Sequence, residues 1–126
     1  FTYQEDLAKL LNNLGILYDQ ETGGQEKAYK YYIESLTIYK ELNEKDGGNY
    51  KKEIAEVLNN MGVLNASKLE TKDLSEQNYK EALHIFLDLA SEHPSIYESK
   101  VAETLNNLAG LLDEDPQKNE IVTAYY

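Results

Sequence analysis

Leu11-Asn12-Asn13-Leu14-Gly15 decides how this chain folds, because it returns as Leu58-Asn59-Asn60-Met61-Gly62 and again as Leu105-Asn106-Asn107-Leu108-Ala109. The step is 47 residues each time. Outward from these blocks the register holds at Ala8, Ala55 and Ala102, then at Tyr3, Tyr50 and Tyr97, and downstream at Tyr32, Tyr79 and Tyr126. No insertion is needed to keep it. A constant period of this length signifies stacked copies of one small unit, none of which buries its apolar face alone. The expectation is a single elongated domain over residues 1–126, with repeats at about 3–49, 50–96 and 97–126.

Within each unit the apolar residues follow a helical spacing. Positions 7, 10, 11, 14, 17 and 18 are linked by spacings of three and four, the pattern of an amphipathic helix. Ile54, Val57, Leu58, Met61 and Leu64 repeat the stripe, as do Val101, Leu105, Leu108, Leu111 and Leu112. These are helices A1, A2 and A3. Thr22-Gly23-Gly24 interrupts the first, since paired glycines favour a turn. A second stripe then runs through Ala28, Tyr32, Ser35, Leu36, Tyr39 and Leu42, and its counterpart through Tyr79, Ala82, Leu83, Phe86 and Leu89. Asp46-Gly47-Gly48 ends helix B1, and His93-Pro94 ends B2. No segment alternates with period two, so no strand is expected. Phe1 stands where an initiator Met would, and the register stops at Tyr126, one turn into a helix B3. The chain is therefore expected to be a piece of a longer array.

Composition narrows the partners. Twenty-three acids against 12 bases give a net charge of −11, and there is no Arg. Nucleic acid is an unsuitable ligand for such a surface, because phosphate binding needs clustered Lys and Arg. No apolar run approaches the roughly 20 residues of a membrane helix. The absence of Cys excludes disulfides and thiolate metal sites and leaves the compartment open, with the cytoplasm favoured. No cofactor or metal is expected. His84 and His93 belong to no HExxH pair or recognisable triad, and Asp113-Glu114-Asp115-Pro116 lacks the glycine of a calcium loop, with Lys118 in its place. An enzyme confined to these residues is not expected.

The series Leu11-x-x-Leu14-Gly15-x-x-Tyr18, followed by Ala28-x-x-x-Tyr32 and Ser35-Leu36, resembles the tetratricopeptide consensus. The second repeat matches at Leu58, Met61, Gly62, Tyr79, Ala82 and Leu83, and departs at Asn65 and Ser75. The third keeps Leu105 and Leu108, with Ala109 in place of Gly and Leu112 in place of Tyr. The usual period is about 34 residues. The excess falls between helix B and the next helix A, as longer helices plus a longer connection. In this the chain is similar to the long repeats of kinesin light chains and of bacterial arrays. The resemblance implies an all-α fold, a right-handed α-solenoid of antiparallel helix pairs with about two and a half repeats. It also implies a protein-binding scaffold whose A helices line a concave groove. The small residues at 15, 62 and 109 would let helix B cross helix A closely.

By the family's pattern the groove positions are Lys9, Asn12, Ile16 and Asp19, then Glu56, Asn59, Val63 and Ala66, then Glu103, Asn106, Gly110 and Asp113. Steps of three and four place each set on one helical face. The Asn ladder at 12, 59 and 106 can offer donors and acceptors to the backbone of a bound peptide. Asn13, Asn60 and Asn107 sit one residue on and could bridge neighbouring repeats instead. No basic residue occupies the ladder, so a clamp for a terminal carboxylate is absent. With Asp19, Glu56, Glu103 and Asp113 on the groove face, a basic or neutral segment fits best. Two further readings stand beside the scaffold. One is a regulatory or sensor module of a larger enzyme. The other is a structural array that self-associates through its C-terminal end, where Tyr125 and Tyr126 would contribute.

Overall fold

A computed structural model describes residues 2–113. They are helical, with no strand among them. Helix α1 spans Thr2–Asp19, α2 Gln25–Lys45, α3 Lys51–Asn65, α4 Lys72–Glu92 and α5 Pro94–Leu112, and a 3-10 turn at Leu69–Thr71 precedes α4. Helices A1, B1, A2, B2 and A3 are thus present as α1 to α5. The expected start of B3, including Tyr125 and Tyr126, lies outside the described residues, as does most of Asp113-Glu114-Asp115-Pro116. Each helix packs chiefly on its neighbours in sequence, and α1 also touches α3.

The apolar stripes explain this packing. In α2 the buried positions are Ala28, Tyr32, Ser35, Leu36, Tyr39 and Leu42, the stripe read from the sequence. In α3 every member of the stripe from Ile54 to Leu64 is buried. A continuous core joins Ala8 and Ala28 to Tyr39, Leu58, Met61 and Phe86, and a second cluster gathers Tyr79, Leu83, Leu105, Leu108 and Leu112.

Two contacts set the spacing of the helix pairs. The Tyr32 ring lies against the α1 backbone at Gly15, and the Tyr79 ring lies against α3 at Gly62. A Cβ at either glycine would come within 3.0 Å of three ring atoms, closer than real Cβ contacts allow. Beside each ring a buried serine hydroxyl donates to a carbonyl of the facing helix. Ser35 Oγ reaches Ala8 O at 2.7 Å, and Ser75 Oγ reaches Gly62 O at 2.6 Å. Serine weakens a helix when its hydroxyl competes locally with the backbone; here the buried hydroxyl finds its acceptor on another element, and Gly62 O accepts from Ala66 N as well. This accounts for Ser75 where the repeat pattern asks for Ala. Asn65, the other departure, donates from Nδ2 to Asn78 Oδ1 at 2.9 Å.

Burial corrects one reading of α1. Leu10 and Leu17, members of its apolar stripe, are exposed, and Ala8, Leu11 and Gly15 form its buried side. The extra residues fall between helix B and the next helix A, divided differently in the two repeats. Five residues, 46–50, separate α2 from α3, with Gly47 and Gly48 at φ of 65° and 93°. Between α4 and α5 only His93 intervenes, because Pro94 opens the next helix directly. A proline at the first helical position has its φ already set and lacks only an N–H that would go unused. The same period is therefore spent on a loop in one repeat and on additional helix in the next.

Gly62→Val should lower stability by about 2 kcal/mol, the range for overpacking a tight contact. In urea unfolding, Gly62→Val combined with Tyr79→Ala should lose less than the sum of the two single losses, since the clash requires both groups. Additive losses would show that the ring does not set this spacing.

Candidate binding groove

The A helices bring their polar faces to one side. A concavity of about 540 Å³ is lined by Glu5, Asp6, Lys9, Asn12, Asn13 and Ile16 of α1, by Lys52, Glu53, Glu56, Asn59 and Asn60 of α3, and by Lys100 and Glu103 of α5. Tyr39, Tyr50 and Phe86 also contribute to its walls. Six of the groove candidates named from the sequence meet here: Lys9, Asn12, Ile16, Glu56, Asn59 and Glu103. The concavity follows α1 from Glu5 to Ile16 and α3 from Lys52 to Asn60, so positions nearer the C-terminal ends fall outside its lining. Asp19, Val63 and Asn106 are among these. Asp113 lines a separate depression of about 490 Å³ with Ala66 and Gly110.

The two asparagine sets work as one device. Asn60 Nδ2 donates to Asn12 Oδ1 at 3.1 Å, and Asn107 Nδ2 donates to Asn59 Oδ1 at 3.3 Å. Each bond joins one A helix to the A helix before it. Asn59 is buried at 8% exposure, whereas Asn12 and Asn60 are half-buried and Asn106 is exposed. A carboxamide has two donor hydrogens and two acceptor lone pairs, so one rung leaves hydrogen-bonding capacity over at Asn12. Asn12 and Asn59 thus line the groove while bridging repeats.

Two charged contacts shape the groove's electrostatics. Lys100 Nζ lies 3.8 Å from Glu56 and 3.6 Å from Glu103. It offsets two of the four carboxylates that favoured a basic partner, weakly, because all three groups are partly exposed. The lining still holds five carboxylates against three ammonium groups. At the other end Tyr50 Oη donates to Glu5, tying the start of α3 to α1. That bond, then burial, pushes the Tyr50 phenol up to about 12. Burial, aided by Glu53, Glu56 and Glu5, does the same for Tyr39, to about 12. Tyr32 and Tyr79 are raised chiefly by burial, with a contribution from Asp19, whose own carboxyl burial also raises.

Lys100 was missed from the sequence. Its three-residue step to Glu103 was a usable signal, but its reach to Glu56 crosses between helices. The bond from Tyr50 to Glu5 spans 45 residues and has no local signature. Elsewhere, His84 is exposed and lies 3.7 Å from Asp88 one turn on. Among the described residues no group of three or more His, Asp or Glu is placed to hold a metal ion. No described helix is long and apolar enough to cross a membrane. On α2, Tyr31 stacks on Tyr18 at 5.5 Å, while Tyr29 is exposed.

A double-mutant cycle on Asn12→Ala and Asn60→Ala should give a coupling energy of about 1 kcal/mol in urea unfolding, the usual net value of one hydrogen bond. Zero coupling would remove the ladder's structural role. A second outcome concerns alkali. Unfolded phenols ionise near 10, and the folded Tyr39, Tyr50 and Tyr79 near 12. Stability from these groups is thus complete below about pH 10 and lost as pH rises through about 12, because the unfolded state releases its protons first. Absorbance at about 295 nm, followed alongside circular dichroism, should show a late-titrating subset of the 11 tyrosines that ionises as the helices melt. Ionisation of all of them together near 10 would contradict this. A scan of protein-family models finds none that matches this chain, and comparison with curated proteins and with solved structures finds no match either.

Proposed function

We propose that the chain is a protein-interaction scaffold of tetratricopeptide type, a right-handed α-solenoid that holds a peptide or protein segment along α1, α3 and α5. The observation that carries this reading is the shared concavity. Lys9, Glu56 and Glu103 occupy one repeat position in three helices and line it together, as Asn12 and Asn59 do at the next. A groove built from equivalent residues of successive units suits an extended ligand, whose own repeating backbone can meet each unit in the same way. Ring-on-glycine packing at Gly15 and Gly62 supports the family reading, because it gives the small residues of the motif a physical reason.

The ligand that fits is basic or neutral. The acidic excess of the lining favours it, and Lys100 limits how strongly. Asn amides would serve the ligand's main chain, and carboxylates its Lys or Arg side chains.

Binding of fluorescent peptides of graded charge to the full chain tests the reading. Glu56→Gln with Glu103→Gln should weaken a basic peptide by about 1 kcal/mol, roughly fivefold, in keeping with partly exposed pairs. Raising salt from about 0.05 to 0.5 M should weaken it as well. Affinity indifferent to both changes, or equal for acidic and basic peptides, would sink the proposal.

A further inference from the structure

One repeat position in the groove changes sign along the array. It holds Asp6 in the first unit, Glu53 in the second and Lys100 in the third, 47 residues apart each time. All three line the concavity. The position one turn on holds Lys9, Glu56 and Glu103, which line it too. The two ends of the groove are therefore electrostatically different, although they are built from equivalent positions.

At the α5 end, Lys100 Nζ lies 3.8 Å from Glu56 of α3 and 3.6 Å from Glu103 of its own helix. These carboxylates are register equivalents on adjacent A helices, so the ammonium sits where one cation faces two units at once. Of the described residues of α5, Lys100 and Glu103 are the ones that line the concavity. A ligand reaching this end thus meets carboxylates that already hold a cation from the chain itself. At the α1 end the lining offers Asp6 and Glu53, together with Lys9 and Lys52. Among the described residues no ion pair involves any of these four.

We propose that Lys100 determines the charge specificity of the groove, acting as a tethered cation that occupies Glu56 and Glu103. The bound segment then carries basic side chains where it crosses α1 and α3, and uncharged ones where it meets α5. A second ammonium at α5 has either to displace Lys100 or to share its two carboxylates against like-charge repulsion. The lysine stem is flexible and all three groups are partly exposed, so the exclusion is several-fold and not absolute. The inference rests on the groove being a peptide site, and adds a register to it: the ligand is basic at one end only.

The test uses the full chain and short fluorescent peptides of Leu, Ser and Ala that carry paired lysines at the N-terminal end, the C-terminal end or both. Affinities are read by fluorescence polarisation at about 0.15 M salt, where distant charges are screened. For the parent chain, lysines at the second end should improve on the better single-ended peptide by less than about twofold. In Lys100→Met the same addition should improve affinity by about fivefold. Lys100→Arg should restore the parent ratio, and Glu56→Gln with Glu103→Gln should abolish the gain that Lys100→Met brings. Lys40→Met removes the same charge from an exposed site outside the lining and should keep the parent ratio. A ratio unchanged in Lys100→Met, or raised equally by Lys40→Met, overturns this inference and leaves the groove reading standing. If none of the peptides binds the parent chain or Lys100→Met, both fall together.

Discussion

The fold depends on how closely two helices can approach. At Gly15 and Gly62 an aromatic ring replaces the side chain that the facing helix lacks, so the helix pair closes to the thickness of a ring. The adjacent hydroxyls of Ser35 and Ser75 then reach main-chain carbonyls that no wider pair would bring into range. Close packing of this kind is unforgiving, because interiors at crystal-like density relax only partly around added or removed atoms. The ring also ties burial to ionisation. The phenols that space the helices are held neutral well past their ordinary range, so the packing and the alkaline behaviour have one cause.

Much of the architecture was legible in the sequence, because the repeat displays each local rule more than once. Helix existence and order followed from the three-and-four spacing of apolar residues, and the terminators at Gly23, Gly47 and Pro94 fell where expected. Periodicity could not tell which apolar residues would be covered. Leu10 and Val57 hold the same register and end with opposite burial, since coverage depends on a neighbouring helix and not on the stripe itself. Nor could it say how the extra residues would be used. A loop follows α2 and a helix start follows α4, because Pro94 suits a first helical turn and Gly47 does not.

The groove was legible in part for a similar reason. Helical spacing places Lys9, Asn12 and Ile16 on one face, and a shared register carries that face to Glu56, Asn59 and Glu103. What spacing could not reveal was the partnering between helices. Lys100 draws Glu56 and Glu103 together, and Asn107 occupies the Asn59 carbonyl. Both contacts use groups that look available in the sequence, and they make the groove less acidic and its asparagines more structural than composition alone suggests.

The asparagine rungs also give the molecule a direction. In each, the amide donor sits on the later helix and the carbonyl acceptor on the earlier one. Adjacent asparagines on one helix point about 100° apart, so α3 accepts from one side and donates to the other. Such a unit has a head and a tail. Heterologous joints of this sort add units in one sense along an axis, where a two-fold joint would close on itself after a single pairing. The doublet Asn-Asn thereby acts as a polarity marker, setting which end of one unit can follow which end of another.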